Sequence, residues 1–301
     1  MYNGIINIYK EAGYTSHDVV AKMRGICRQK KIGHTGTLDP QATGVLPVCL
    51  GSGTRLCDLL TDRDKEYVAE LLLGVHTDTQ DTTGQVLRTQ EVTSSEEEVR
   101  AAAAGFVGSY LQVPPMYSAL KVNGKKLYEL ARAGKEVERE ARPVTIHEIE
   151  ILEMELPRVK LRVCCSKGTY IRTLCSDIGE RLGCGGAMAS LVRTKVGRFS
   201  LEDAVTLQQL EALRDEGRIE ERIYPVDSVF VLCPAIHVKR EFRRLIDNGN
   251  SLLPLQTVEE HIHENGKWVR VYNDDNRFCG VYAYEDTKRR YQPVKMFLEQ
   301  D

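Results

Sequence analysis

Residues 33–44, Gly33-His34-Thr35-Gly36-Thr37-Leu38-Asp39-Pro40-Gln41-Ala42-Thr43-Gly44, limit most sharply what this chain can become. Three glycines and a proline rule out a regular element, so the stretch reads as a loop. Pro40 biases Asp39 toward an extended backbone. A carboxylate on a stiff loop suits a positioned nucleophile or base. The competing reading is an Asp-Pro pair that only opens a turn. Upstream, Val19, Val20, Met23, Ile26 and Cys27 fall at helical spacing, with Ser16 as the cap. From Lys22 to His34 there are five lysines and arginines and no acid, so a nucleic-acid contact by His34 competes with a merely polar role.

Beyond the loop, 45–50 reads as a short strand and 55–60 as a helix. Strands are predicted at 2–9, 67–74, 144–154 and 158–165. Ser94 or Ser95 caps a helix running to about 104. Ile171, Leu174, Cys175, Ile178 and Leu182 mark an amphipathic helix, and a further helix starts after Thr206. Residues 114–144 carry seven basic residues against four acids with little apolar content, the pattern of an exposed basic insertion. The composition shifts after Val229. A helix near 240–247 and two alternating runs around Asn273-Asp274-Asp275-Asn276 then suggest a small β-rich module. The periodicity supports an α+β fold with an all-β tail, divided at 1–230 and 231–301.

Composition narrows the chemistry. The 301 residues carry a formal charge of -2, so any polyanion partner must be met by local patches. Nine cysteines without a C-x-x-C suit reduced, buried thiols of a cytoplasmic protein. No apolar run is long enough to span a membrane, and no secretory leader is expected. There is no P-loop, no G-x-S-x-G elbow, no H-E-x-x-H and no zinc-deaminase signature. The acids of 78–84 miss the calcium-loop spacing. His261 and His263 lack a third ligand and read as solvated side chains. Tyr67 reads first as a core aromatic. Arg172, opening a helix after Tyr170, is either a surface arginine or the partner of a carboxylate brought in by the sheet.

These pieces together resemble a family. The loop with Ala42-Thr43-Gly44-Val45-Leu46-Pro47 is similar to the catalytic motif of the TruB-type tRNA pseudouridine synthases. Thr15-Ser16-His17-Asp18-Val19-Val20, Lys65-Glu66-Tyr67 with Leu73–Asp81, Pro114–Lys121, Lys167–Leu174 and Leu191–Phe199 resemble further motifs of that family, in its order. The last 70 residues resemble its PUA-type RNA-binding module. One departure is visible: the family's Asp-Lys-Pro reads Tyr9-Lys10-Glu11 here.

The resemblance implies a mixed, largely antiparallel sheet flanked by helices, followed by the PUA-like domain. It implies conversion of uridine 55 in the tRNA T loop to pseudouridine, without cofactor, metal or guide RNA, by a monomer. By the family pattern, Asp39 is the essential carboxylate and Arg172 its partner. Tyr67 lies on the flipped base, and His34 fills the vacated stack. Tyr170 and Leu191 wall the pocket. Lys10, Lys121, Lys125, Lys126 and Arg132 are the implied RNA contacts. The alternative is an RNA-binding tRNA-folding chaperone whose catalysis is secondary or vestigial.

Overall fold

The computed structural model describes residues 1–122, 124–259 and 264–298. Its frame is a nine-stranded sheet. Across it run Gly4–Lys10, Thr43–Leu50, Gly186–Val196, Lys65–Leu73, Arg158–Cys165, Arg142–Glu155 and Gly108–Gln112, with Ile32–His34 and Phe199–Ser200 paired alongside. Every pairing in it is antiparallel except one. Thr43–Leu50 and Gly186–Val196 run parallel, and their ladder pairs only Val192 with Thr43 and Arg193 with Gly44. Gly44 makes that contact possible. Its φ is +107°, and a Cβ there would sit 2.2 Å from the carbonyl oxygen of Arg193.

Lys65–Leu73 lies inside the sheet and alternates strictly, with Lys65, Tyr67, Ala69, Leu71 and Leu73 inward. Helix Ile171–Arg181 covers that face with Ile171, Leu174, Cys175 and Ile178. Helix Glu96–Ala104 joins the same core through Val99, Ala102 and Ala103, and Ser95 closes a capping box at its start. A second core lies under helix Ser16–Ile26 and helix Leu207–Asp215. The C-terminal sheet runs Ala235–His237, Trp268–Tyr272, Phe278–Glu285, Arg290–Met296 in spatial order. Its Val281, together with Phe297, packs into one apolar cluster with Ile5, Val45, Val226 and Phe230. Lys295 also pairs with Asp58.

Several expectations need correction. The cap of the first helix is Thr15, not Ser16. Ser16 is fully buried, and its hydroxyl accepts the Leu38 N–H at 2.9 Å, so it ties down the loop instead. The loop begins later than its glycines suggest, because Ile32–His34 pairs with Leu50, Cys49 and Val48. The stretch 55–60 is a 3-10 turn, Gly51–Leu56, running into helix Cys57–Thr61. The 114–144 insertion is not wholly irregular. A hairpin of Lys121–Val122 and Lys125–Lys126 leads into helix Leu127–Arg132, anchored by buried Leu127. Strand Gly186–Val196 escapes the pattern reading because register shifts at Met188/Ser190 and Arg193/Lys195 break its alternation. His261 and His263 lie outside the described residues.

Candidate active site

The loop is pinned from below before any charge is considered. Thr35 donates its N–H and its hydroxyl to the Pro47 carbonyl, at 3.1 and 3.2 Å. The Ala42 N–H closes a turn onto the Asp39 carbonyl at 3.1 Å, and Leu38 and Ala42 sink into the main core. Asp39 therefore stands on a turn with little freedom, facing the start of helix Ile171–Arg181.

Arg172, one residue into that helix, reaches back across the sheet. Its Nε lies 3.0 Å from Asp39 Oδ2, and its Nη2 donates to Oδ1 at 3.3 Å. The remaining donors are used too. Nη2 meets the Tyr117 carbonyl at 2.8 Å, Nη1 the Thr79 carbonyl at 3.1 Å, and Asp81 Oδ2 lies 3.7 Å from Nη1. The Arg172 side chain is 7% exposed, whereas that of Asp39 keeps 40%. A planar fork thus holds a carboxylate from behind and leaves its front open. Burial pushes the Asp39 carboxyl up, Arg172 opposes this, Asp81 adds to it and Lys10 opposes it.

Tyr67 and Leu191 line the same core as Leu38 and Ile171, both 8% exposed. Burial pushes the Tyr67 phenol up, and the neighbouring Arg193 pulls it down. Tyr170 precedes the helix. Its N–H donates to Gln112 Oε1 at 2.8 Å and its carbonyl accepts from Gln112 Nε2 at 3.0 Å, so a side chain stands in for a strand pairing. Ser118 lies beside the Tyr170 phenol. The structure therefore brings Asp39, Arg172, Tyr67, Tyr170 and Leu191 together.

His34 stands apart, at the end of its short strand, with its ring edge-on to His17 at 5.1 Å. Burial, then His17, pushes it toward the neutral form. Lys121, Lys125, Lys126 and Arg132 sit on the hairpin and helix of the insertion. They form no ion pair among the described residues, and Lys126 and Arg132 lie over the Tyr128 ring. Lys10 departs from its anticipated role as an RNA contact. It is fully buried, and its ammonium donates to the Glu11 and Pro40 carbonyls, both at 3.1 Å. It clamps the Asp39-Pro40 turn from beneath, through the Pro40 carbonyl and a Glu11 carbonyl that any residue at position 11 would supply as well.

Two side chains escape a sequence reading. Asp81 belongs to the acid-rich loop, and backs Arg172 while taking bonds from Thr79 and Thr83. Arg193 is 1% exposed, with Nε on the Val45 carbonyl at 2.7 Å and Nη2 on the Gly36 carbonyl at 3.4 Å. A signal existed: Leu191 and Arg193 share a face of one strand, so an arginine sits where an apolar residue belongs.

The structure superposes with a TM-score of 0.72 on a chain of the "Structure of H/ACA RNP bound to a substrate RNA containing 2'-deoxyuridine", at 25% identity over 99% of this chain and 86% of that one. It superposes equally on a chain of the archaeal box H/ACA sRNP Nop10-Cbf5 complex, at 28% identity over 99% and 87%. These are pseudouridine synthase folds, a mixed sheet with a β-rich C-terminal domain. The TruB family pseudouridylate synthase N-terminal domain matches residues 24–171, and the tRNA pseudouridylate synthase B C-terminal domain matches 172–231. A tRNA pseudouridine synthase B of Lachnoclostridium phytofermentans is 53% identical over 98% of this chain and all of its own length. One from Bacillus pumilus is 40% identical over 100% and 99%. The chain belongs to the TruB family of pseudouridylate synthases.

Proposed function

We propose that this protein isomerises uridine to pseudouridine at position 55 in the T loop of tRNA, as a monomer and without guide RNA. The C1′–N1 bond breaks, the base turns, and a C1′–C5 bond forms. C5 loses a proton and N1 gains one, so composition and oxidation state are unchanged. One observation carries this reading: a buried arginine fork holds Asp39 from behind while its carboxylate stays open in front. That is the arrangement of a carboxylate that must meet a substrate in a fixed orientation. The full-length match to relatives named tRNA pseudouridine synthase B supports the substrate class.

The target nucleotide is flipped out of its loop, at a cost of about a few kcal/mol. His34 fills the vacated stack. Tyr67 lies on the base, and Tyr170 and Leu191 close the pocket against water, protecting the broken glycosidic state from hydrolysis. Lys121, Lys125, Lys126 and Arg132 grip phosphates from the 114–144 insertion, and a PUA-like domain at 231–301 holds the stem.

The test is tritium release from tRNA carrying 5-tritiated uridine. Asp39→Asn should keep the melting temperature and the tRNA affinity and release no tritium. A variant that turns over normally removes Asp39 from the chemistry. The unaltered chain should also act on a bare T-arm stem-loop; a requirement for added guide RNA would overturn stand-alone recognition.

A further inference from the structure

Arg193 is a fully buried cation with no carboxylate partner among the described residues; its side-chain bonds go to the Val45 and Gly36 carbonyls. Burying a charge without a counter-charge is costly, and a methionine of similar volume would avoid the cost. The register says what the cation faces. Arg193 stands directly opposite Tyr67 across the antiparallel pair of Gly186–Val196 and Lys65–Leu73, with both side chains on the buried face. Such pairs hold their Cβ atoms about 5 Å apart. The groups facing Tyr67 are Arg193, Cys165 and Asp39.

Burial pushes Arg193 down, as it does the other bases around it, while Tyr67 acts on Arg193 in the opposite direction. Lys10 and Lys65 are each pushed down to about 8, and His34 is pushed down as well, by burial first, with Arg193 also acting in that direction. These neighbours have a neutral form within reach, whereas a guanidinium keeps its proton in a protein. Unlike Arg172, which is paired with Asp39, Arg193 thus sets against the phenol of Tyr67 a permanent positive charge with no carboxylate partner among the described residues.

We infer that Arg193 is a positioning residue for the isomerisation, holding the Tyr67 hydroxyl toward the substrate base and acting as counter-charge while that oxygen takes the C5 proton. This rests on the function proposed above and assigns a device within the same site. The step balances. Tyr67 gives its own hydroxyl proton to N1. The C5–H bond then breaks, its electron pair restores the C5–C6 double bond, and the proton passes to the phenolate oxygen. Arg193 touches neither ribose nor base, and acts through Tyr67.

The test uses the full chain and single-turnover conversion of tRNA carrying 5-protio or 5-deuterio uridine. Arg193→Lys keeps a charge but loses the fork. It should bind tRNA normally, lose about 10²-fold in rate, and show a larger C5 isotope effect than the unaltered chain. A rate loss with an unchanged isotope effect would mean a merely structural role and would overturn the inference. Tyr67→Phe should lose at least as much rate as Arg193→Lys. Tyr67→Phe combined with Arg193→Gln removes the buried charge and the phenol together but keeps an N–H donor for the Val45 and Gly36 carbonyls, so it folds even where Arg193→Lys does not. This double variant should match the rate of Tyr67→Phe alone; a further loss of about tenfold or more (~1.4 kcal/mol) shows that Arg193 acts elsewhere and sinks the proposal. If the unaltered chain makes no pseudouridine at all, the earlier reading fails instead.

Discussion

The protein carries its positive charge in two opposite ways. Around Asp39 the cations are sunk in the fold and committed: Arg172 to Asp39 and two carbonyls, Arg193 to Val45 and Gly36, Lys10 to Glu11 and Pro40. On the 114–144 insertion, Lys121, Lys125 and Arg132 stand toward solvent, and none pairs with a carboxylate among the described residues. A buried, fully bonded cation fixes geometry to a fraction of an ångström, which bond-making chemistry needs. An exposed one keeps its mobility and its counterions, which suits a sequence-independent hold on phosphates. The two regions meet where Arg172 donates to the Tyr117 carbonyl at 2.8 Å and where Ser118 lies beside the Tyr170 phenol.

The comparison breaks most visibly at Arg172. Arg172→Lys keeps the charge and gives up the two-pronged grip, so single-turnover conversion should fall about 10²–10³-fold with tRNA affinity unchanged. An equal loss of affinity would erase the distinction between the regions. Gly44→Ala probes the scaffold beneath. The left-handed backbone and the clash with Arg193 predict a loss of about 3 kcal/mol or more in denaturant unfolding; an unaltered midpoint would show the strand pairing to be compliant.

Replacing Lys125, Lys126 and Arg132 together by alanine tests the other region. Affinity should fall, and the slope of log affinity against log salt should flatten by about one for each phosphate no longer held. The rate of the bound complex should not change. An unchanged slope would mean the insertion does not grip RNA. The smallest effect is electrostatic. Burial lowers Lys10 to about 8 from 10.5, so between those values the unfolded chain holds a proton that the folded one has released. Stability should therefore rise with pH through that window and stay flat below it. Lys10→Met should abolish this increment, seen as a stability gap to the unaltered chain that shifts between pH 8 and 10.5 and is constant below 8.

Much of this was legible along the chain. The glycines and Pro40 announce the loop, and apolar spacing announces the helix that begins at Ile171. Asn273–Asn276 announces the hairpin between Trp268–Tyr272 and Phe278–Glu285. Motif order carried the family. Less legible were Ser16, which looks like a cap and serves as a tether, and Gly186–Val196, whose two register shifts hide a central strand.

What the chain determined alone was local: backbone freedom, the phase of each apolar face, and the residue types available for chemistry. These depend on neighbours a few positions away, through sterics and periodicity. Which charges meet was decided only in three dimensions. Asp39 and Arg172 are 133 residues apart, and Arg193 finds Tyr67 through sheet register. Desolvation decides the rest, because whether a lysine reaches solvent, as Lys125 does, or a carbonyl, as Lys10 does, depends on what packs above it.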